Sequence, residues 1–308
     1  MKQPEHFVSR SRFDPSIVLA KDSAWPRVSV VIPSYNQGQF IEDALLSVLN
    51  QNYPNIELIV IDGGSTDGTL DVLKRYSRYI SFCLSEPDGG QFDAVIKGFE
   101  HATGDILTWQ NADDIYIEGA FHEVIRVFKI HPTMDLVFGN VYVLDENLNV
   151  TRVAKYVPVT LEGMMYYSAH VPSQSAFWTR RVFEDIRKSE HIRRDLHYCM
   201  EKYFFGLILH YGRGAVYRRS IFGAVRVQPE SKTVRVGPHE EWRREDLELA
   251  REFVARGFVK PYSNFLRYKL FFRKLLWHAI SGDILHLIHL ASQRSKWKFT
   301  KWKTENAK

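Results

Sequence analysis

The sequence predicts an α/β protein, a mostly parallel, doubly wound sheet followed by a helical, basic C-terminal appendage. Three observations carry that reading. From Val28 onward, short apolar runs alternate with stretches of helical spacing. Four of those runs end in loops rich in Gly, Asp and Asn, as strands of a parallel sheet do where they turn into helices. After Asn140 the rhythm changes, and basic charge collects in residues 260–308.

Taken in order, residues 1–25 show no sustained period and read as an N-terminal extension. Val28 to Ile32 is predicted as a buried strand stopped by Pro33. Phe40 to Leu49 carries the helical spacing Ile41, Leu45, Val48. Ile56 to Ile61 is the second strand, ended by Asp62-Gly63-Gly64, and Thr69 to Tyr76 a short helix with Asp67 near its start. Ile80 to Leu84 is the third strand and Phe92 to His101 a helix. Asp105 to Trp109 is the fourth strand, running into the adjacent acids Asp113 and Asp114. Ala120 to Ile130 is helical again, and Leu136 to Phe138 a strand. Beyond it, Val141 to Val153 reads as a strand pair turning at Asp145 to Asn147, Ser175 to Trp178 as a strand, and Leu196 to Tyr211 as a helix. Ala215 to Val227 gives two short strands, and His239 to Arg256 a charged helix with Trp242, Leu249 and Phe253 inward. The expected division is an extension (1–25), an α/β domain (26–235) and a helical basic region (236–308).

Composition narrows the classes. A 308-residue chain with 45% hydrophobic and 25% charged residues is long enough for one large α/β domain plus an appendage. Two cysteines, Cys83 and Cys199, both amid apolar neighbours in sequence, argue against a disulfide scaffold. No apolar run resembles a signal peptide or spans a bilayer, so the expected place is the cytoplasm or the cytosolic face of a membrane. Net charge is +5, yet residues 260–308 carry eleven Lys and Arg against Asp283 and Glu305, leaving the preceding body mildly acidic. That tail suits either peripheral contact with an anionic membrane or packing on the body or a second copy. No recognised nucleic-acid module accompanies the charge.

The loops Pro33-Ser34-Tyr35-Asn36, Asp62 to Thr69, Asp88 to Asp93 and Asn111 to Asp114 would lie along one sheet edge. Together they offer an aromatic ring for a base, carboxylates for a ribose and a divalent cation, and glycines for close backbone approach. Each loop singly is also explained as turn and capping chemistry. Phosphate-loop and dinucleotide fingerprints are absent, which removes the usual support for NTP hydrolysis and hydride transfer.

The stretches VSVVIPSYNQGQFIEDALLSVLNQNYPNIELIVIDGGSTDGT and EPDGGQFDAVIKGFEHATGDILTWQNADD closely resemble the family 2 glycosyltransferases of GT-A fold. The resemblance spans about Pro26 to Thr233. It implies a nucleotide-sugar donor (a UDP-sugar first), Mn²⁺ or Mg²⁺, and inverting transfer to a hydroxyl of a glycan or lipid-linked acceptor in surface or exopolysaccharide synthesis. By position it puts Pro33, Tyr35 and Asn36 around base and ribose and Asp62 beside the base. Asp93 and Lys97 fall near the sugar or diphosphate, Asp113 at the ribose and Asp114 on the metal. Glu201 matches the catalytic base, with Asp195 as the fallback. Gln174 and Trp178 fall on the acceptor side, Trp178 being equally suited to the core. Arg226 and Lys232 fall in a loop over the diphosphate. The chain departs from the pattern at Gly63, Phe92, Ile96, Glu201, Tyr203 and Gln228, where relatives often carry an acid, a small polar residue, Asn, Asp, an acid and His. Those departures leave open a catalytically degenerate module of the same fold that binds nucleotide or glycan. A homodimer is compatible with the sequence.

Overall fold

The computed structural model describes residues 14–166, 169–228 and 240–280. Lys232, the first part of the N-terminal extension and the tail beyond Ile280 lie outside the described residues.

The extension contributes α1 (Pro15–Ala20), capped by Asp14, which accepts the Ser16 N–H at 2.8 Å. Strand and helix then alternate as the periodicity predicts: β1 (Val28–Ser34), α2 (Ile41–Leu49), β2 (Ile56–Asp62), α3 (Thr69–Arg75), β3 (Phe82–Ser85), α4 (Gln91–His101) and β4 (Ile106–Trp109). Every residue of β1 and β4 is buried, as expected of strands covered on both faces. Pro33 stands past the last β1–β4 pair, Val31 with Trp109, so its missing N–H interrupts no bond to β4.

The second half adds β5 (Ile115–Tyr116), α5 (Ala120–Ile130), β6 (Leu136–Leu144), β7 (Val150–Ala154), α6 (Leu161–Tyr166), β8 (Ala176–Thr179), α7 (Arg180–Lys188), α8 (Met200–Tyr211), β9 (Ala215–Arg226), α9 (Glu240–Ala255) and α10 (Asn264–Ile280). The sheet runs β3-β2-β1-β4-β8-β6-β9-β5, with β7 on β6. It is parallel from β3 to β4; beyond that β8 is antiparallel to both neighbours, while β6 and β9 are parallel. The segment predicted as two short strands is the single strand β9, whose register against β6 slips near Asn140. Helices α6 and α7 carried no sequence expectation.

Two cores flank the sheet. One gathers Val31, Leu107 and Trp109 with α4, α7, α8 and Phe253 of α9; the other gathers Val30, Ile32 and Leu58 with α2, α3 and α5. Phe92 and Ile96, two of the departures from the family pattern, are core residues of α4. Tyr203, a third, is buried and donates its hydroxyl to the His191 carbonyl and, at 3.3 Å, to Glu252, tying α8 to α9. Cys83 is exposed and Cys199 buried, and neither is in a disulfide. At the start of β6, fully buried Asp135 collects Arg181, Thr179 and Arg213, clamping the ends of β8, β6 and β9 away from the loop edge.

Candidate active site

Because β1 to β4 are parallel, the loops that follow β1, β2 and β4 emerge at the same end of the sheet, with the loop after β3 beside them. The first two are stitched together. Asn36, in the left-handed region at φ 52°, donates its N–H to Ser65 Oγ at 2.7 Å, and its Oδ1 accepts the Thr66 N–H at 2.9 Å. Gly38 donates its N–H to Asp67 at 2.9 Å, and a Cβ there would stand 2.9 Å from the Thr69 nitrogen, so glycine lets this loop rest on the start of α3. Tyr35 at the crest is 61% exposed, a ring free to stack on a planar ligand.

Pro33 and Asp62 depart from their expected places. Pro33 is buried within β1 and presents no surface to a ligand. Asp62 is fully buried and accepts hydrogen bonds from the Ser65 and Ser85 hydroxyls and from the Gly64 and Ser65 N–H groups. With both oxygens occupied it shapes the turn and does not reach the cleft. The carboxylate beside Tyr35 is that of Asp88. A Cβ on Gly63 would come within 3.1 Å of Asp88 Oδ2 and 3.3 Å of the Tyr35 ring. The sequence could have pointed to Asp88 through the glycine at 63, since two side chains cannot share that space.

Asp93 and Lys97, one turn apart on α4, lie 3.3 Å from each other. Asp93 also takes the Gly89 N–H and Arg194, while Lys97 reaches Glu86 at 3.2 Å. Burial works against the Asp93 charge, but these donors outweigh it and hold the carboxyl below its usual range. The two residues pair with each other within an ion network that also includes Arg194, for which there was no expectation.

The acid pair after β4 divides sharply. Asp114 is 2% exposed and accepts from Asn111 Nδ2 at 2.9 Å, Gln174 Nε2 at 2.8 Å and the Arg226 N–H at 3.0 Å. Burial, reinforced by the charge of Asp113, pushes it well above the usual carboxylate range against those three donors. Asp113 is partly exposed and accepts from Gln228 Nε2 at 3.0 Å. Asp114, expected on the metal, spends three of its four acceptor sites on these inward donors and keeps one, on Oδ1, uncommitted. Among the described residues no group of three or more His, Cys, Asp or Glu side chains is arranged as a metal cage. In this arrangement the partly exposed Asp113, with a single donor, is the more open of the two to a hard cation whose shell is completed by phosphate and water oxygens. Just before the pair, Gln110 is fully buried with no hydrogen-bond partner for either amide atom.

Arg226 is likewise turned inward. It is 4% exposed, pairs with Asp43 at 2.7 Å and lies 4.9 Å over the Phe40 ring. In this arrangement it braces α2 against the end of β9 and is not available to a diphosphate. Trp178 is fully buried among Phe99, Trp109, Phe204 and Phe205, so the core alternative holds and no sugar can stack on it. Gln174 spends its amide N–H on Asp114 instead of an acceptor hydroxyl.

Across from the acid loop stands Glu201, in the first turn of α8. It is partly buried and accepts the Ser173 hydroxyl at 2.6 Å. Burial raises its pKa, opposed by that one hydrogen bond. Tyr156, pushed up to about 12 by burial and then by the Glu201 charge, lies close by and was not anticipated. Asp195, the fallback base, pairs with Arg193 at 2.8 Å on an exposed turn. Ser173 and Gln174 thus join the two sides of the cleft, one holding Glu201 and the other Asp114.

The doubly wound sheet, with an exposed aromatic ring and an outward carboxylate at its carboxyl edge, has the architecture of the GT-A fold. Residues 29–225 match the model described as Glycosyl transferase family 2, and the chain belongs to that family. It is 40% identical over 92 residues to the putative teichuronic acid biosynthesis glycosyltransferase TuaG of Bacillus subtilis, covering 29% of this chain and 36% of that one. To glycosyltransferase GlyA of Streptococcus pneumoniae it is 25% identical over 202 residues, covering 65% of this chain and 25% of that one. The matched stretches therefore span less than half the length of these curated relatives. In fold the chain is similar to S. aureus TarS 1–349 in complex with UDP-GlcNAc (TM-score 0.61, 16% identity, 74% of this chain and 66% of that one). It is also similar to the mannosyltransferase PcManGT from Pyrobaculum calidifontis in complex with GDP-Man and Mn²⁺ (TM-score 0.52, 18% identity, 91% and 83%).

Proposed function

We propose that this glycosyltransferase moves a sugar from a nucleotide-sugar, a UDP-sugar first among them, to a hydroxyl of a glycan or lipid-linked acceptor with inversion at the anomeric carbon, in the assembly of a surface polysaccharide. The observation that carries the reading is Glu201, a carboxylate of raised pKa held by Ser173 and linked through Gln174 to the acid loop. The acceptor oxygen attacks the anomeric carbon, Glu201 takes its proton, and the bond from that carbon to the diphosphate oxygen breaks on the opposite side. Tyr35 and Asp88 frame the base, one by stacking and the other by accepting N–H groups from its edge. Asp113 would hold a Mn²⁺ or Mg²⁺ ion, which supplies positive charge to the departing diphosphate. Support for the donor class comes from the nucleotide-sugars in the TarS and PcManGT complexes, and for the context from TuaG.

The test is thermal-shift binding of UDP, GDP, dTDP and CMP with and without Mn²⁺, on the wild type, Asp113→Asn and Asp114→Asn. A metal-dependent shift for one nucleotide, lost in Asp113→Asn, is expected. Asp114→Asn is expected to lower the melting temperature even without ligand. No nucleotide shift in a folded wild type would overturn the donor-site reading. Nucleotide binding without release of diphosphate from any sugar donor would favour the degenerate binding module.

A further inference from the structure

Helix α10 has two apolar faces where a helix lying on a protein needs one. Leu266 and Leu270 pack toward the body, and Trp277 meets the Tyr217 ring edge-on at 5.7 Å. Turned away from them are Phe265 (79% exposed), Tyr268 (60%), Phe272 (60%) and Leu276 (61%). Their spacing of three, four and four residues keeps all four within an arc of roughly 80° on a helix of 100° per residue. They are four of the ten large apolar side chains exposed among the described residues, and the only such run along one helix face. Exposed Lys269 and Arg273 border the stripe.

Charge decides what covers it. Residues 264–280 contain no Asp or Glu, and four Lys and Arg: Arg267, Lys269, Arg273 and Lys274. Residues 281–308 add six more against Asp283 and Glu305. A second copy docked through the same stripe would set Lys269 and Arg273 against their own equivalents. An anionic lipid surface reverses the sign of that interaction and accepts three aromatic rings at headgroup depth. We propose that α10 lies in the plane of an anionic membrane, with Phe265, Tyr268, Phe272 and Leu276 inserted at headgroup depth while Lys269 and Arg273 pair with lipid phosphates. Among the described residues no helix is long and apolar enough to cross a membrane, so this is a surface attachment. It is independent of the donor-site reading and adds a location to it.

The experiment is co-sedimentation of the full chain with large vesicles of phosphatidylcholine alone, and with about 30% phosphatidylglycerol, near physiological salt. Wild type is expected to bind the anionic vesicles at least ~10-fold more tightly than the neutral ones. Phe265→Ser/Phe272→Ser and Lys269→Glu/Arg273→Glu should each lose ~10-fold or more, while Ile130→Ser, at an exposed apolar residue elsewhere, binds as wild type. Phe272→Trp supplies a second readout, a blue-shifted emission on adding anionic vesicles. Absence of vesicle binding by wild type overturns the proposal. So does unchanged binding by the Phe pair variant, which would mean adsorption through charge alone. A wild-type dimer that Phe265→Ser/Phe272→Ser converts to monomer, without vesicle binding, would assign the stripe to a second copy and overturn it equally.

Discussion

Replacing Glu201 by glutamine preserves the volume and the contact with Ser173 while removing the proton acceptor. Positioned general bases contribute roughly 10²–10⁴ in rate, so Glu201→Gln is expected to lower kcat by that factor, with little change in affinity for the donor diphosphate. The same substitution has the opposite effect on stability. Burial gives the folded carboxylate a pKa above its ordinary 4.5, so the folded state binds this proton more tightly than the unfolded chain. The cost of ionising Glu201 in the fold appears as pH rises from 4.5 through the raised value and stays above it. At pH 7 the glutamine variant should therefore unfold at higher urea than wild type, and the difference should vanish below pH 4.5. Ser173→Ala removes the hydrogen bond that favours the carboxylate, and should move the acid limb of the rate–pH profile upward at unchanged donor affinity. Release of nucleoside diphosphate across pH, with urea unfolding of the same variants, reads all of this. Retention of wild-type turnover by Glu201→Gln, or a destabilised Glu201→Gln, would refute the assignment.

Three further outcomes follow from the packing. In Gly223→Ala a Cβ would sit 1.8 Å from the Gln174 carbonyl oxygen, so the turn carrying Ser173 and Gln174 must move by more than an ångström; turnover should fall ~100-fold or more, alongside about 1–3 kcal/mol of stability by urea unfolding. Asp135 is held at about 2 by Arg181, Thr179 and Arg213 against burial, so its stabilisation of about 2 kcal/mol is present above the ordinary 3.8 and lost as pH falls through about 2; Asp135→Asn should show that deficit at pH 7, narrowing as pH falls toward 2. Gln110→Leu removes two unpaired buried polar atoms and should raise stability by about 1–2 kcal/mol, whereas a loss would mean that ordered water satisfies the amide.

The parallel half of the sheet was legible because each strand is an uninterrupted apolar run between turn residues, and that pattern survives without knowledge of partners. The loop edge followed from it, and with it the placing of Tyr35 and Asp113 on that edge; Glu201, on α8, was reached only through the family resemblance. Which way each side chain turns was not legible. Asp113 and Asp114 are adjacent and chemically equal in sequence; only Asn111, Gln174 and the Arg226 backbone, brought from three distant segments, commit Asp114 inward. The two readings of Trp178 stayed open and Arg226 was turned the wrong way for the same reason, since a core of Phe99, Trp109 and Phe204 and a brace of Asp43 and Phe40 are assembled only in three dimensions. The insertion of β8 between β4 and β6 was also hidden, because a short strand records its burial but not its neighbours.

Ser173 and Gln174 are consecutive residues, and their Cα atoms are fixed about 3.8 Å apart by a trans peptide. One holds Glu201 and the other Asp114, so on the proposed reading the gap between the proton acceptor and the acid loop is spanned by one peptide unit and two side-chain hydrogen bonds. The surrounding loops can then change length and composition to suit other donors or acceptors without altering that gauge.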